Sequence, residues 1–183
     1  MRIALLAPLA AAALAPTSAF AVDYLSVEQA QALMFAQADS FSPQTLALDV
    51  EQMRRLEAAT GLPARSARWN VIVARRGAEV LGYLVIDNVV GKYELITYAV
   101  ALTPQATVAR VEILSYRESH GHEIRSAAWR RQFEGKSSAA AMRVGEDIAN
   151  ISGATLSCQH VTDGVRRITA LVDLARRELL ARS

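Results

Sequence analysis

Trp69-Asn70-Val71-Ile72-Val73-Ala74-Arg75-Arg76-Gly77-Ala78-Glu79-Val80-Leu81-Gly82-Tyr83-Leu84-Val85-Ile86 is the stretch that decides the fold class. Two runs rich in β-branched and aromatic residues flank a turn at Arg75-Arg76-Gly77. That is the pattern of a β-hairpin, since a helix would repeat its apolar residues every three or four positions. The strand-like period continues downstream: Gly91-Lys92 closes another turn before residues 93–102, and residues 107–114 read as a fourth strand. Strands joined by turns this short pair with their sequence neighbours. The expectation is an antiparallel meander with one face covered by helices.

Working outward, the period becomes helical on both sides. Ser26 precedes Glu28, Gln29 and the apolar Ala30, Leu33 and Met34, with Gln29 placed as a capping-box partner. Asp49 caps a second helix over residues 49–60, lined on one face by Met53, Leu56 and Ala59 or Thr60 and stopped by Gly61 and Pro63. Ser40-Phe41-Ser42-Pro43, between the two, reads as a loop. Beyond the sheet, a short amphipathic helix is expected over 124–133. Val161, Val165, Ile168, Val172, Ala175 and Leu179 then mark one face of a last helix that starts near Leu156 and packs on the sheet. The fold class is therefore α+β: an antiparallel sheet of four or more strands packed by a long C-terminal helix, with two accessory N-terminal helices.

A chain of 183 residues, 52% hydrophobic and 21% charged, has the composition of one folded domain. Its formal net charge of +2 and its scattered arginine pairs, such as Arg54-Arg55 and Arg176-Arg177, argue against a nucleic-acid partner, which needs clustered cations. The first 21 residues differ from the rest. Arg2 precedes an apolar Ala- and Leu-rich run over 3–15, followed by Pro16-Thr17-Ser18 and Ala19-Phe20-Ala21, the three parts of a secretory signal with cleavage expected after Ala21. The alternative is an uncleaved membrane anchor. Nothing after it reads as membrane-spanning, so the mature chain is expected in the periplasm, without stable membrane insertion. The division expected is a signal peptide at 1–21, a helical segment at 22–66 and the functional domain at 67–183. A lone cysteine, Cys158, leaves stability to the core.

The chemistry is concentrated just before the last helix, in Asp147-Ile148-Ala149-Asn150-Ile151-Ser152-Gly153-Ala154-Thr155-Leu156-Ser157. Gly153 and Ala154 let the backbone turn tightly and leave the Thr155 hydroxyl uncovered at a helix start. Two readings follow: an ordinary hydroxyl cap, or a position where a phosphate on that oxygen would meet free N–H groups and the positive end of the helix dipole. Elsewhere, His120-Gly121-His122 could be a metal pair with Glu118, Glu123 or His160, but zinc needs three or four ligands and no metal is expected. Cys158 beside His160 lacks the orienting partner that a thiol hydrolase requires. Trp69 and Trp129 read as packing residues, with Trp129 also able to touch a bound ring system.

The segment 147–157 resembles the flavinylation motif of the FMN-binding domain family: an acidic residue, then Ser or Thr, Gly-Ala-Thr and a further Ser or Thr, here Asp147, Ser152-Gly153-Ala154-Thr155 and Ser157. That family includes the C subunit of the sodium-pumping NADH:quinone reductase, the Rnf complex G subunit and small exported flavoproteins. Two upstream stretches, Tyr116-Arg117-Glu118-Ser119-His120-Gly121-His122-Glu123 and Trp129-Arg130-Arg131-Gln132-Phe133-Glu134-Gly135-Lys136, resemble the family's Glu-and-Gly loop and its Trp, aromatic, Gly-Lys stretch; together the likeness spans about 80–168. The chain departs from the pattern in having His120 where a small residue is common and five residues between Asp147 and Gly153.

The resemblance implies covalent FMN on Thr155 through a phosphoester, installed from FAD by a flavin transferase using magnesium. It implies that Asp147, Ser152, Gly153, Ala154 and Ser157 are recognised by that transferase or shape the phosphate site, and that Glu118, His120 and Gly121 lie near the flavin ring. The implied function is electron transfer between a membrane redox partner and a periplasmic or extracellular acceptor, with Thr155 a tether and no catalytic residue. Two alternatives are a flavin-dependent reductase acting directly on ferric chelates or quinones, and a non-redox binding module.

Overall fold

The structure is a computed structural model that describes residues 22–181; the expected signal at 1–21 and its cleavage point lie outside the described residues. In chain order the elements are β1 (Val22–Asp23), α1 (Val27–Met34), β2 (Ser40–Ala47), α2 (Val50–Thr60), β3 (Arg68–Arg76), β4 (Glu79–Val90), β5 (Leu95–Leu102), β6 (Val108–Tyr116), α3 (Ala127–Arg130) and α4 (Thr155–Ala181). Short 3-10 turns at His122–Arg125 and Arg131–Phe133 flank α3. The six strands form one antiparallel sheet in the order β1-β6-β5-β4-β3-β2, so the four-strand meander read from the sequence is its centre.

Both edges extend beyond that reading. Ser40-Phe41-Ser42-Pro43, expected as loop, lies in β2, where Pro43 faces Ile72 of β3. An edge strand tolerates proline because one side of it needs no ladder donor. The strand is polar and largely exposed, with Leu46 its buried residue, so it carries no apolar alternation to announce it. The expected helix over 124–133 is instead broken into three pieces. Ser126 adopts an extended conformation (φ −61°, ψ 137°), and its hydroxyl accepts the Trp129 amide at 3.2 Å, restarting the helix there.

The helix caps form as the sequence dictates. Ser26 and Gln29 make a reciprocal capping box at 3.2 and 2.8 Å, and so do Asp49 and Gln52 at 2.7 and 2.9 Å. Strand alternation then sorts the side chains to two faces. Val71, Val73, Tyr83, Val85, Tyr98, Val100 and Leu102 face α4 and α2 in the main core. Ala74, Leu84, Ala99 and Ala101 form a smaller core with Ala30 and Phe35 of α1 and its exit. Helices therefore cover both faces, not one. The second layer can approach because its strand residues are small: a Cβ on Gly82 would stand 2.8 Å from the Phe35 ring.

On the main face, all six apolar positions read from the α4 sequence are buried, the Val, Ile and Leu side chains contributing about 1.5–3 kcal/mol each relative to exposure and Ala175 less. Gly164 brings the helix onto the sheet so closely that a Cβ there would overlap the Tyr98 hydroxyl at 1.8 Å. This contact seats α4 against β5. Among the described residues no helix is long and apolar enough to cross a membrane.

Candidate functional site

At its start α4 meets the β4–β5 turn and the loop that leaves β6. Between them lies a cleft of about 400 Å³ walled by Lys92, Tyr93, Glu118, Ser119, His120 and residues 153–157. That volume falls within the range of about 300–1,000 Å³ usual for small-molecule sites.

Gly153 turns the chain with φ +81°, and Ala154, which cannot cap with its side chain, accepts the Cys158 amide at 2.9 Å as the first helical bond. The amides of Thr155, Leu156 and Ser157 therefore precede the intrahelical ladder, and no acidic residue stands in the first turn. A 27-residue helix thus presents the positive end of its dipole to the cleft, with the Lys92 side chain in the same wall. Thr155 is exposed. Its Oγ1 accepts the Asn150 side-chain amide at 3.1 Å, so the hydroxyl is held by a side chain and not engaged as a cap on a backbone amide.

The opposite wall is fixed by Glu118. It is 8% exposed, and its Oε1 accepts the Tyr93 and Glu94 amides at 2.6 and 3.0 Å. Burial raises the pKa of this carboxyl, but the amides of Glu94, Tyr93 and Lys92 and the Lys92 ammonium outweigh it and hold the group below the usual carboxylate range. Glu118 thus remains an anion that shapes the turn. A Cβ on Gly91 would stand 2.6 Å from Glu118 Oε1 and 3.0 Å from Ser157 Oγ, so glycine is needed where the turn passes.

Tyr116 ties the third wall down. Its hydroxyl donates to the His120 carbonyl at 2.6 Å and lies 3.3 Å from Ser157 Oγ. Gly121, at φ +83°, lets the loop cross α4 where a Cβ would fall 2.2 Å from that of Ala154.

Of the nine residues expected at the site, Glu118, His120, Gly153, Ala154, Thr155 and Ser157 line the cleft. Gly121 supports it from behind, and Ser152 is exposed beside it. Asp147 sits elsewhere: its carboxylate takes Lys136 Nζ at 2.9 Å and the Met142 and Arg143 amides at 3.1 and 2.7 Å. Burial raises its pKa, and the Arg143 amide, Lys136 and the Met142 amide together bring it below the usual range. The stretch 129–136 also acts from behind the motif. Trp129, 4% exposed and packed edge-on to Phe133 at 5.1 Å, donates Nε1 to the Ala149 carbonyl at 2.8 Å, while Gln132 accepts the Ala149 amide at 2.7 Å. Trp129 is not among the walls of the cleft.

Lys92, Tyr93, Ser119 and Leu156 are wall residues that the sequence did not single out. For Lys92 and Tyr93 the signal was the Gly91-Lys92 turn, whose partner across space could not be read along the chain, whereas Ser119 and Leu156 stand inside the stretches 116–123 and 147–157.

The histidine pair separates. His120 borders the cleft with Nδ1 2.8 Å from Ser119 Oγ, whereas His122 packs edge-on against Tyr116 at 5.6 Å. No cluster of three or more metal-ligating side chains occurs among the described residues. Cys158 is buried, which pushes its thiol pKa up and makes it a poor nucleophile.

Residues 91–170, which contain this cleft, match the FMN-binding domain family. This segment is similar to an FMN-binding domain. The match takes in the β4–β5 turn, the 118–121 loop and the start of α4, so every wall of the cleft falls inside the matched segment. Among solved structures, NqrC of Shewanella oneidensis is similar in fold at a TM-score of 0.54 and 16% identity, covering 82% of this chain and 87% of its own. No curated protein matches by sequence. The cleft fits the cofactor in chemistry: amides, a helix N-terminus and a lysine suit a phosphate, and Tyr93 and Leu156 add apolar surface.

Proposed function

We propose that the chain is an exported electron carrier holding FMN covalently on Thr155 Oγ1. The observation that carries this reading is the exposed Thr155 hydroxyl, in the first turn of a helix whose open amide end faces the cleft within the matched segment.

Attachment is a phosphoryl transfer by a separate magnesium-dependent flavin transferase. The Thr155 oxygen forms a bond to the FMN phosphorus of FAD, the pyrophosphate bond breaks, AMP leaves with the electron pair, and the hydroxyl proton passes to the transferase or solvent. Asn150 orients the hydroxyl, while Lys92 and the first amides of α4 hold the phosphate charge. Bound FMN supplies one- or two-electron redox chemistry. The residues of this chain position it: Glu118 keeps the β4–β5 turn closed, Tyr116 holds the 118–121 loop against α4, and Gly121 lets that loop approach.

Covalent attachment suits a protein outside the cytoplasm, where a lost cofactor is not readily replaced. The signal-like pattern of Arg2, the apolar run over 3–15 and Ala19-Phe20-Ala21 supports a periplasmic setting, between a membrane reductase and a periplasmic or extracellular acceptor.

Production with and without a flavin transferase, followed by a denaturing gel viewed for flavin fluorescence, tests the reading. A fluorescent band that requires both the transferase and Thr155 is the expected result. Flavin that leaves on denaturation despite an active transferase contradicts it.

A further inference from the structure

One turn beyond Leu156, the same face of α4 carries His160, Asp163 and Arg167. With Arg65, Val89 and Val90 they line a second cavity, of about 250 Å³, that shares no residue with the flavin cleft.

Arg167 dominates it. The residue is 5% exposed, and its Nε donates to the Pro63 carbonyl at 2.8 Å. Among the described residues its two terminal amino groups have no hydrogen-bond partner, and no carboxylate forms an ion pair with it. The nearby acids are already engaged. Asp87 Oδ2 accepts Arg65 at 3.2 Å and the Tyr98 hydroxyl at 2.8 Å, while Asp163 Oδ1 accepts Gln159 at 3.1 Å and Arg166 at 3.3 Å. Arg65 is held in place by a left-handed backbone (φ +64°) and by donation to the Asn88 carbonyl at 3.0 Å. Burial, and then the charge of Arg65, lower the pKa of Arg167, against the smaller opposing effects of Tyr98, Asp87 and Asp163.

We propose that this cavity is an oxyanion site that takes a carboxylate or phosphoryl group between Arg167 and Arg65. A buried guanidinium without a paired anion is costly, and its planar fork matches the two oxygens of either group. At roughly 30 Å³ per water, the cavity holds several waters' volume, enough for an oxyanion and the first atoms of its carrier. Val90, 53% exposed, precedes the Gly91-Lys92 turn, so a carrier bound here lies directly beside the flavin cleft. The site is separate from the flavin phosphate, which belongs with Thr155 and Lys92.

Calorimetric titration of the full folded protein with its flavin attached, using orthophosphate and separately acetate, tests this. One saturable event is expected, weakened at least tenfold in both Arg167→Gln and Arg65→Gln. Binding of phosphate alone assigns a phosphoryl carrier; binding of acetate, with or without phosphate, assigns a carboxylate. Arg65 is partly exposed, so its variant keeps the test decisive should Arg167→Gln fail to fold. No saturable binding of either anion, or binding that Arg65→Gln leaves unchanged, overturns the proposal.

Discussion

Thr155 and Gly121, which packs against the neighbouring Ala154, make opposite demands on the chain. Thr155 needs only its oxygen. Thr155→Val keeps the shape and β-branching of the side chain and loses one exposed hydrogen bond, from Asn150, so unfolding free energy should shift by under about 1 kcal/mol. Covalent flavin should disappear completely, with intact mass and urea unfolding as the paired readouts. Gly121 needs its missing Cβ. In Gly121→Ala the new carbon meets Ala154 Cβ and the Tyr116 hydroxyl at a φ of +83°, which should cost about 1–3 kcal/mol and lower flavin loading by moving the loop off α4.

Glu118 is a third case, and a pH-dependent one. Its carboxyl has a lower pKa folded than unfolded, so its stabilisation is fully present above the unfolded value of about 4.3 and is lost as pH falls through the folded value. Glu118→Gln should be about 2 kcal/mol less stable near neutrality, with the gap to the parent closing toward pH 3. A gap that does not change with pH contradicts this role.

At the scale of elements, α4 and the strands beneath it were legible because their signals are local. The α4 face repeats every three or four residues, and the central strands alternate. Strand β2 was hidden because an edge strand needs only half its groups paired and little apolar surface, so Ser42-Pro43 looks the same in a strand as in a loop. The stretch 129–136 was legible as important, but its action was not. Trp129, Gln132 and Lys136 reach 20, 17 and 11 residues along the chain to Ala149 and Asp147, and such partners have no periodicity to betray them. The seating of α4 gives an element-scale prediction. Gly164→Ala places a carbon against the Tyr98 hydroxyl, and overpacking of this kind costs about 1–3 kcal/mol. Because it pushes the helix off β5, the melting temperature should fall while the transferase can still modify Thr155.

Across the whole molecule, the site is made where three distant stretches of sequence meet: the β4–β5 turn, the exit of β6 and the entry to α4. The two that resemble a known motif supplied Glu118, His120 and residues 153–157. The third supplied Lys92 and Tyr93, which only the antiparallel register of β4 with β5 brings opposite Thr155. The fold thus makes a rigid sheet the backing for one open helix end, and the proposal that Thr155 tethers the cofactor rests on that arrangement. Peptide mapping by tandem mass spectrometry, on protein exported from cells that contain a flavin transferase, tests it most directly. The account predicts a single modified peptide, heavier by one FMN less one water, with the added mass on Thr155. Flavin mass on another residue, or an unmodified Thr155 peptide from cells whose transferase is active, would contradict it.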